Sequence, residues 1–224
     1  MKYKLFIIIS IIFSFVILSC AEKEESTTSD ADLTWIGTQQ LGTNMLDWGV
    51  GVATDSSGNV YVAGNTYGNL DGNTNTGWLA GIFEDMFLVK YDSSGTKQWT
   101  KQIGTPTIDV GVGVATDSSG NVYVLGNTNG DLDGNTNAGL TDIFVVKYNS
   151  SGTKQWTKQI GKGYYDSGTE IATDSSDNVY VLGHTGTNAG DLEMFLVKYD
   201  SSGTTQWTQQ IGTPTIDLGV GVAT

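Results

Sequence analysis

The loop DLDGNTN at residues 131–137 could bind a hard cation, because it places side-chain oxygens at alternate positions. With a carboxylate further along the chain, the candidate calcium ligands are Asp131, Asp133, Asn135, Asn137 and Asp142. The loop departs from the usual calcium pattern, since Thr136 rather than glycine stands at its sixth position. The alternative is a polar loop that hydrogen-bonds to itself through Asx turns. We expect no cofactor, and calcium at this loop is the exception that the sequence leaves open.

Residues that could carry out catalysis are few. His184 is the only histidine, and its segment offers no obvious partner that would make it a general base. The sequence contains no GxSxG, P-loop, HExxH or CxxC motif. We therefore expect a protein that is not an enzyme.

Composition narrows the range of partners. The 224 residues include 11 basic and 24 acidic side chains, for a formal charge of −13. Nucleic acid binding needs clustered basic side chains on phosphates, so this composition argues against it. The 30 glycines and two prolines fit a fold with many tight turns.

The start of the chain predicts export. Two lysines precede an apolar run at residues 5–18, which is too short to span a bilayer as a helix. A charged start, a short apolar stretch and small residues at its end are typical of a secretory signal, here residues 1–19. A short segment that stays in the membrane is the alternative.

Cys20 is the only cysteine, so the chain forms no internal disulfide. It ends the sequence ILSC, which resembles a bacterial lipobox, and the resemblance implies cleavage before Cys20 and lipidation of its sulfur. Residues 20–33 are polar and charged, which predicts a flexible tether after the lipid. We expect a membrane partner through this lipid.

One unit of sequence occurs three times. A first motif, VATDSSGNVYVAGNT or a close variant, occupies residues 52–66, 114–128 and 171–185. A second motif is marked by Trp99, Trp156 and Trp207. The segment joining the two motifs shortens from repeat to repeat, at Asn65–Lys90, Asn127–Lys147 and His184–Lys198. Repeats of this length indicate a propeller or a solenoid.

Each unit has the pattern of four short strands, rich in Val, Ile and aromatic residues and separated by Ser-Gly turns. In the second unit the strands are expected at 111–116, 121–127, 142–149 and 153–161. The third of these is apolar on both faces, as in a sheet stacked between two others. In the Asp-Ser-Ser-Gly turns glycine takes positive φ, and Asp177 replaces it once as one of the few residues that tolerate this conformation. The predicted fold is all-β, with four-stranded antiparallel propeller blades.

The motifs ATDSSGNVYVAGNT and FLVKYDSSGTKQWTKQIGT resemble the SBBP family of bacterial beta-propeller repeats, over about residues 34–224. The resemblance implies the propeller fold and a cell-envelope context, and it brings no reaction. YDSSGTKQW also resembles the strand signature of quinoprotein-type propellers, in which the tryptophan packs between blades. This likeness implies interblade packing for Trp99, Trp156 and Trp207, in preference to a role as platforms for a ligand.

The count of strands predicts an incomplete propeller. We expect a repeat domain at 34–224, with repeats at roughly 43–103, 104–160 and 161–211, a partial repeat at 212–224, and lone strands at 34–42 and 218–224. Propellers close with four to eight blades, so we expect an interrupted reading frame, a fragment or part of an assembly. Uncovered apolar blade faces would favour self-association.

The sequence therefore predicts a lipid-anchored protein of the bacterial envelope, at the outer membrane or cell surface in preference to the cytoplasmic membrane. Its blades would act as a non-enzymatic scaffold that binds an unidentified protein or glycan through variable loops. A truncated or degenerate fragment without activity of its own is the alternative, and a propeller enzyme is the third interpretation. Fold alone does not decide between them.

Overall fold

The protein folds into three four-stranded antiparallel sheets, which confirms the predicted propeller blades. The computed structural model describes residues 40–77, 83–188, 191–212 and 216–224, without the side chains of residues 187, 188 and 191. The predicted signal, Cys20 and the tether lie outside the described residues, as do residues 34–39 of the first predicted lone strand. Residues 40–42 of that strand carry no strand pairing.

The strands follow one another within each blade, so each blade is a simple meander. Blade 1 comprises β1 (Asp47–Thr54), β2 (Val60–Thr66), β3 (Asp85–Tyr91) and β4 (Lys97–Ile103). Blade 2 comprises β5 (Asp109–Thr116), β6 (Val122–Thr128), β7 (Asp142–Tyr148) and β8 (Lys154–Ile160). Blade 3 comprises β9 (Asp166–Thr173), β10 (Val179–Asn188), β11 (Asp191–Tyr199) and β12 (Thr205–Ile211).

The hairpin turns have the predicted conformation. In blade 2 the Asp117 carboxylate accepts hydrogen bonds from the backbone N–H groups of Ser119 and Asn121, at 3.0 and 2.9 Å. Gly120 closes this turn at a φ of 74°, and Asp177 closes the matching turn of blade 3 at 62°. The side-chain acceptor and the positive φ explain why the turn sequence is repeated so closely.

The core lies between the blades. Phe144 and Val146, on one face of β7, pack in a cluster with blade 1 residues such as Leu88. Ile143 and Val145, on the other face, pack with residues of blade 3. All five side chains are fully buried, which confirms that blade 2 is apolar on both faces.

Polar contacts also join neighbouring blades. The Ser150 carbonyl, in a turn of blade 2, accepts hydrogen bonds from Lys90 Nζ at 2.8 Å and from Trp99 Nε1 at 3.3 Å. Blade 3 repeats this arrangement at the same two distances, with Lys147 and Trp156 as donors to the carbonyl of Ser201. Each blade is thus fixed to the next by a turn as well as by the apolar core.

The first strands of the blades lie side by side around a common axis. Thr116 Oγ1 donates to the carbonyl of Thr54 at 2.8 Å, and Thr173 Oγ1 donates to the carbonyl of Thr116 at 2.6 Å. Residues 216–224 extend this series, because Thr224 Oγ1 donates to the carbonyl of Thr173 at 2.6 Å. The prediction of a strand at 218–224 is wrong, because these residues pair with none of the described strands. The segment nevertheless takes the position of a fourth first strand.

Candidate functional site

The blades differ most in the connection between their second and third strands. It covers residues 67–84 in blade 1, 129–141 in blade 2 and only 189–190 in blade 3. In blades 1 and 2 this connection contains a one-turn 3-10 segment with the sequence Leu-Asp-Gly, at Leu70–Gly72 and Leu132–Gly134. We call this segment the plug, because its leucine is buried against the blade.

The plug of blade 2 is held by one glutamine and two threonines. Leu132 is 3% exposed and packs in the cluster that contains Phe144, Val146 and Tyr148. Its N–H donates to Gln159 Oε1 at 3.1 Å, and Gln159 Nε2 donates to the carbonyl of Gly130 at 3.0 Å.

The residues beside Leu132 complete the attachment. The Gly130 N–H donates to Thr128 Oγ1 at 3.0 Å, and Lys154 and Thr157 both donate to the Asp133 carboxylate. Burial raises the pKa of Asp133, but the hydrogen bonds from Lys154 and Thr157 outweigh this effect and hold the pKa below its usual value. The carboxylate is therefore ionised at neutral pH and is paired.

Blade 1 repeats the arrangement residue by residue. Leu70 is 1% exposed and packs with Phe87, Val89 and Tyr91. The equivalent polar contacts are Leu70 N–H to Gln102 Oε1, Gln102 Nε2 to the Gly68 carbonyl, Gly68 N–H to Thr66 Oγ1, and Lys97 and Thr100 to Asp71. Two copies with the same contacts indicate a built socket for the plug.

Blade 3 has the residues of the socket without a plug among its described residues. A pocket of about 390 Å³ lies there, with apolar walls from Phe195, Val197 and Tyr199. Thr185, Thr208 and Gln210 line it at the positions that Thr128, Thr157 and Gln159 hold in blade 2, and Gln159, Ile160, Gly161 and Lys162 of blade 2 form its opposite side. A pocket of this volume with an apolar wall and a polar rim is typical of a ligand site.

One polar atom of this pocket is unusual. Thr185 is 4% exposed, and its Oγ1 has no hydrogen-bond partner among the described residues. In blades 1 and 2 the matching hydroxyl accepts the backbone N–H of the glycine two residues before the plug leucine. A buried hydroxyl without a partner is costly, so it points to a group that would complete it.

The proposed calcium ligands are held apart by other contacts. Asp131 accepts from the Asn137 N–H, Asn135 Nδ2 donates to the Leu132 carbonyl, and Asn137 Oδ1 accepts from the Gly139 N–H. Asp133 pairs with Lys154, and Asp142 accepts from Ala138 N–H and Gln159. Within the described residues no group of three or more His, Cys, Asp or Glu side chains could hold a metal. The loop has the self-bonded geometry of the alternative, and calcium binding stays a prediction to test.

The three repeat tryptophans lie at equivalent places with different surroundings. The Trp99 ring lies 6.0 Å from Tyr61 of its own blade and 6.5 Å from Tyr148 of blade 2. Trp156 likewise lies between Tyr123, at 5.8 Å, and Tyr199 of blade 3, at 6.4 Å. Trp207 contacts only the ring of Tyr180 among the described aromatic residues, at 6.0 Å, and is 37% exposed.

His184 contacts the terminal segment. Its Nε2 accepts the Gly219 N–H at 2.8 Å, whereas in blades 1 and 2 Asn65 and Asn127 Oδ1 accept the equivalent N–H groups of Gly111 and Gly168. Burial lowers the pKa of His184, which favours the neutral ring that this hydrogen bond requires. The single histidine thus takes over a repeated amide contact.

The inner strands surround a second cavity, of about 330 Å³, lined mainly by valine and glycine. Glu170 is the only charged residue among its described lining residues, and its carboxylate accepts the Val222 N–H at 2.9 Å. The clustered histidine, arginine or acidic groups that a propeller enzyme would bring to this channel are not found in that lining.

Buried carboxylates lie where blades meet. Asp109, Asp142 and Asp166 are at most 1% exposed, and each has one oxygen without a hydrogen-bond partner among the described residues. Burial raises the pKa of Asp109 to about 6 despite hydrogen bonds from Thr105, and the charge of Asp85 adds to the rise. Burial also raises the pKa of Asp166, so Asp109 and Asp166 make the blade interfaces sensitive to pH.

Neither the leucine plug nor its socket was predicted from the sequence. The available signal was the leucine of LDGNTN, an apolar residue that occurs twice in otherwise polar loops. Its partners Gln102 and Gln159 are distant in the chain, so only the fold brings them to the plug.

No helix in the described part of the chain is long and apolar enough to cross a membrane.

Meandering four-stranded blades around a common axis define a beta-propeller repeat protein. The SBBP family model, described as "Beta-propeller repeat", matches residues 36–71, 98–133 and 155–189. The second match begins in β4 and ends in the plug of blade 2, and the third strands of all three blades lie outside the matches. The second and third matches therefore run from the fourth strand of one blade through the first two strands of the next. All three matches end in the connection between the second and third strands, where the blades begin to differ.

Two known proteins are similar to the chain at low identity. An uncharacterized WD repeat-containing protein of Acanthamoeba polyphaga mimivirus is 25% identical over 75% of this chain and 14% of its own length. The regulatory protein FlaEY of Caulobacter vibrioides is 30% identical over 71% of this chain and 19% of its own length. The chain thus spans less than a fifth of the length of either relative.

Proposed function

We propose that this protein is a non-enzymatic binding scaffold, held at a bacterial envelope membrane by a lipid on Cys20. The observation that carries the proposal is the contrast between a constant frame and variable connections. Strand pairing, turns and interblade contacts repeat across the blades, while the connections at residues 67–84, 129–141 and 189–190 differ in length. Beyond the LDGNTN that blades 1 and 2 share, they also differ in sequence. Variable segments on a rigid scaffold are where recognition usually lies.

The exposure of the connection between the second and third strands of blade 2 supports this role. Beyond the buried Leu132 and the shared LDGNTN, Leu140 of blade 2 is an apolar side chain that is 47% exposed. Apolar atoms presented among polar ones are typical of surfaces that contact a protein or a glycan. The net charge of −13 favours a partner other than nucleic acid.

Photo-crosslinking in living cells tests the binding role with the full chain. A benzophenone amino acid replaces Leu140, in the part of the connection that differs between blades, or, as a matched control, Ser151 in a repeated turn of the same blade; both positions are exposed. We expect discrete adducts from position 140 and none from position 151. Equal adducts from both positions, or none from either, contradict the proposal.

Lipid anchoring has a separate test. Cells that express the full chain are fed a clickable fatty acid, and the protein is isolated from membranes. We expect label on the wild-type chain and none on Cys20→Ser, because the sulfur of Cys20 is the acylated atom in the proposal. Label that persists on Cys20→Ser, or a wild-type chain without label, rejects the anchor and leaves the crosslinking result unaffected.

A further inference from the structure

We propose that the pocket between blades 2 and 3 binds a Gly-x-Leu-Asp segment of a partner polypeptide, which inserts as the plug does in blades 1 and 2. The inference deepens the proposed binding role and rests on it for the existence of a partner. Its basis is that the protein itself contains this ligand twice, seated in two equivalent sockets.

The apolar wall of the pocket matches a leucine side chain. Phe195, Val197 and Tyr199 correspond to Phe144, Val146 and Tyr148, against which Leu132 packs. The wall residues are 3–4% exposed and already pack against apolar side chains of blade 2, which fixes their positions. An isobutyl group would fill this position as it does in blade 2.

The polar rim matches the backbone on either side of that leucine. Thr185 Oγ1 is the buried acceptor without a described partner, in the place where Thr128 Oγ1 accepts the Gly130 N–H. Gln210 lies where the Gln159 amide bonds the Gly130 carbonyl and the Leu132 N–H. The rim therefore fits an extended backbone with a glycine two residues before the leucine.

The charge of the pocket favours an acidic residue after the leucine. Thr208 stands where Thr157 donates to Asp133, but Thr205 replaces Lys154 and removes that cation. Lys162 lines the pocket from blade 2, where blade 1 has Thr105, and its Nζ donates to Gln210 Oε1 at 3.1 Å. One positive charge is thus retained at a new position, and it complements a carboxylate.

The shorter connection of blade 3 explains why the chain does not fill the site itself. The triplet Gly-Asp-Leu occurs at 130–132 and again at 190–192. In blade 3 its leucine, Leu192, belongs to β11, and its carbonyl accepts the Asp217 N–H at 2.9 Å. Leu192 is therefore held in β11 and cannot also serve as a plug.

A labelled nonapeptide with the sequence of residues 129–137, NGDLDGNTN, provides the test by fluorescence polarisation with the full chain. We expect saturable binding, and an affinity at least about thirtyfold lower for the peptide with alanine in place of leucine, because the buried leucine supplies most of the contact. Equal binding of the two peptides, or no binding at millimolar concentration, overturns the proposal.

Thr185→Val locates the binding on the protein. The substitution removes a hydroxyl that has no described partner, so we expect unchanged melting and an affinity for the peptide that is lower by about three- to tenfold. Thr128→Val is the matched control, since the plug of blade 2 already covers that hydroxyl, and it should leave peptide binding unchanged.

Two further outcomes separate the alternatives. If Thr185→Val binds the peptide like the wild type, the pocket is not the site and the proposal fails. If the full chain dimerises with increasing concentration and Thr185→Val abolishes this, the occupant is a second copy and the partner assignment is wrong. Adducts at position 140 without peptide binding would leave the scaffold role standing and reject this site alone.

Discussion

Blade 2 packs against a neighbour on both faces, whereas blade 3 does so on one face among the described residues. Trp156 lies between aromatic rings of two blades, but the equivalent Trp207 has one such ring and is 37% exposed. In the same way β12 is exposed along its length, while β8 is mostly half-buried. Nearly identical sequences thus differ in burial because of what lies beside them, as in other repeat proteins.

The largest difference between the two blades is expected in the loss of stability when Trp156 or Trp207 is replaced. We expect Trp156→Ala to lower the free energy of unfolding by about 3 kcal/mol, because it opens a cavity between blades 2 and 3. Trp207→Ala should cost about 1 kcal/mol or less, since the ring is partly in solvent. Denaturant melts of the two variants measure the difference. Equal losses would mean that Trp207 is covered and that blade 3 has a neighbour in solution.

The frame of a blade could be predicted from the sequence because it depends on local rules. Alternation gave the two faces of β7, and the aspartate and glycine of the turn gave its φ values. The plug could not be predicted, because Leu132 is recognised by Gln159 on a strand that follows it in the chain. The two Gly-Asp-Leu triplets, at 130–132 and 190–192, are identical in sequence, but only the first provides a plug. The difference comes from contacts with distant residues, which the local sequence does not show.

The interface between blades 1 and 2 should depend on pH through Asp109. Burial raises its pKa to about 6, above the ordinary value of about 3.9. The stabilising contribution of its protonated form is fully present below about pH 4 and is lost as pH rises through 6, by about 3 kcal/mol. We expect Asp109→Asn to flatten the fall in stability between pH 4.5 and 7.5, measured by denaturant melts.

Asp47→Asn is the matched control for Asp109, since Asp47 begins β1 as Asp109 begins β5 and is only half-buried. Comparing the pH profiles of the two variants separates the burial of Asp109 from the effect of the substitution itself. A profile of Asp109→Asn that stays parallel to that of the wild type would show that the Asp109 carboxylate is ionised at no cost in the folded protein.

A smaller effect should separate the contact of blade 3 with residues 216–224 from the equivalent contact of blade 2 with β9. The neutral His184 ring accepts the Gly219 N–H, and burial lowers its pKa below the usual 6.5. The contact is therefore fully present above pH 6.5 and is lost as pH falls through the lowered pKa, at a cost of about 1 kcal/mol. The Gly219 amide signal in NMR spectra should shift toward that of a free segment between pH 7.5 and 5.5.

The variant His184→Asn restores the residue type of Asn127, which accepts the Gly168 N–H without titrating. We expect its Gly219 signal to be independent of pH over the same range. Glu170 also contacts this segment, through the Val222 N–H. A shift that persists in His184→Asn would therefore assign the pH response to Glu170 or another group.

The smallest effect is expected from calcium at the plug of blade 2, for which blade 3 has no counterpart. The Asp133 carboxylate is already paired with Lys154 and Thr157, so a cation would have to displace both donors. We expect 1 mM calcium to change the melting temperature by less than about 1 °C, and Asp133→Asn to cost at most about 1 kcal/mol, as for an exposed ion pair. Lys154→Gln is the informative control, because it frees Asp133 and would reveal any latent affinity. Submicromolar binding by calorimetry that Asp133→Asn abolishes would show instead that the alternate oxygens of residues 131–137 rearrange into a calcium loop.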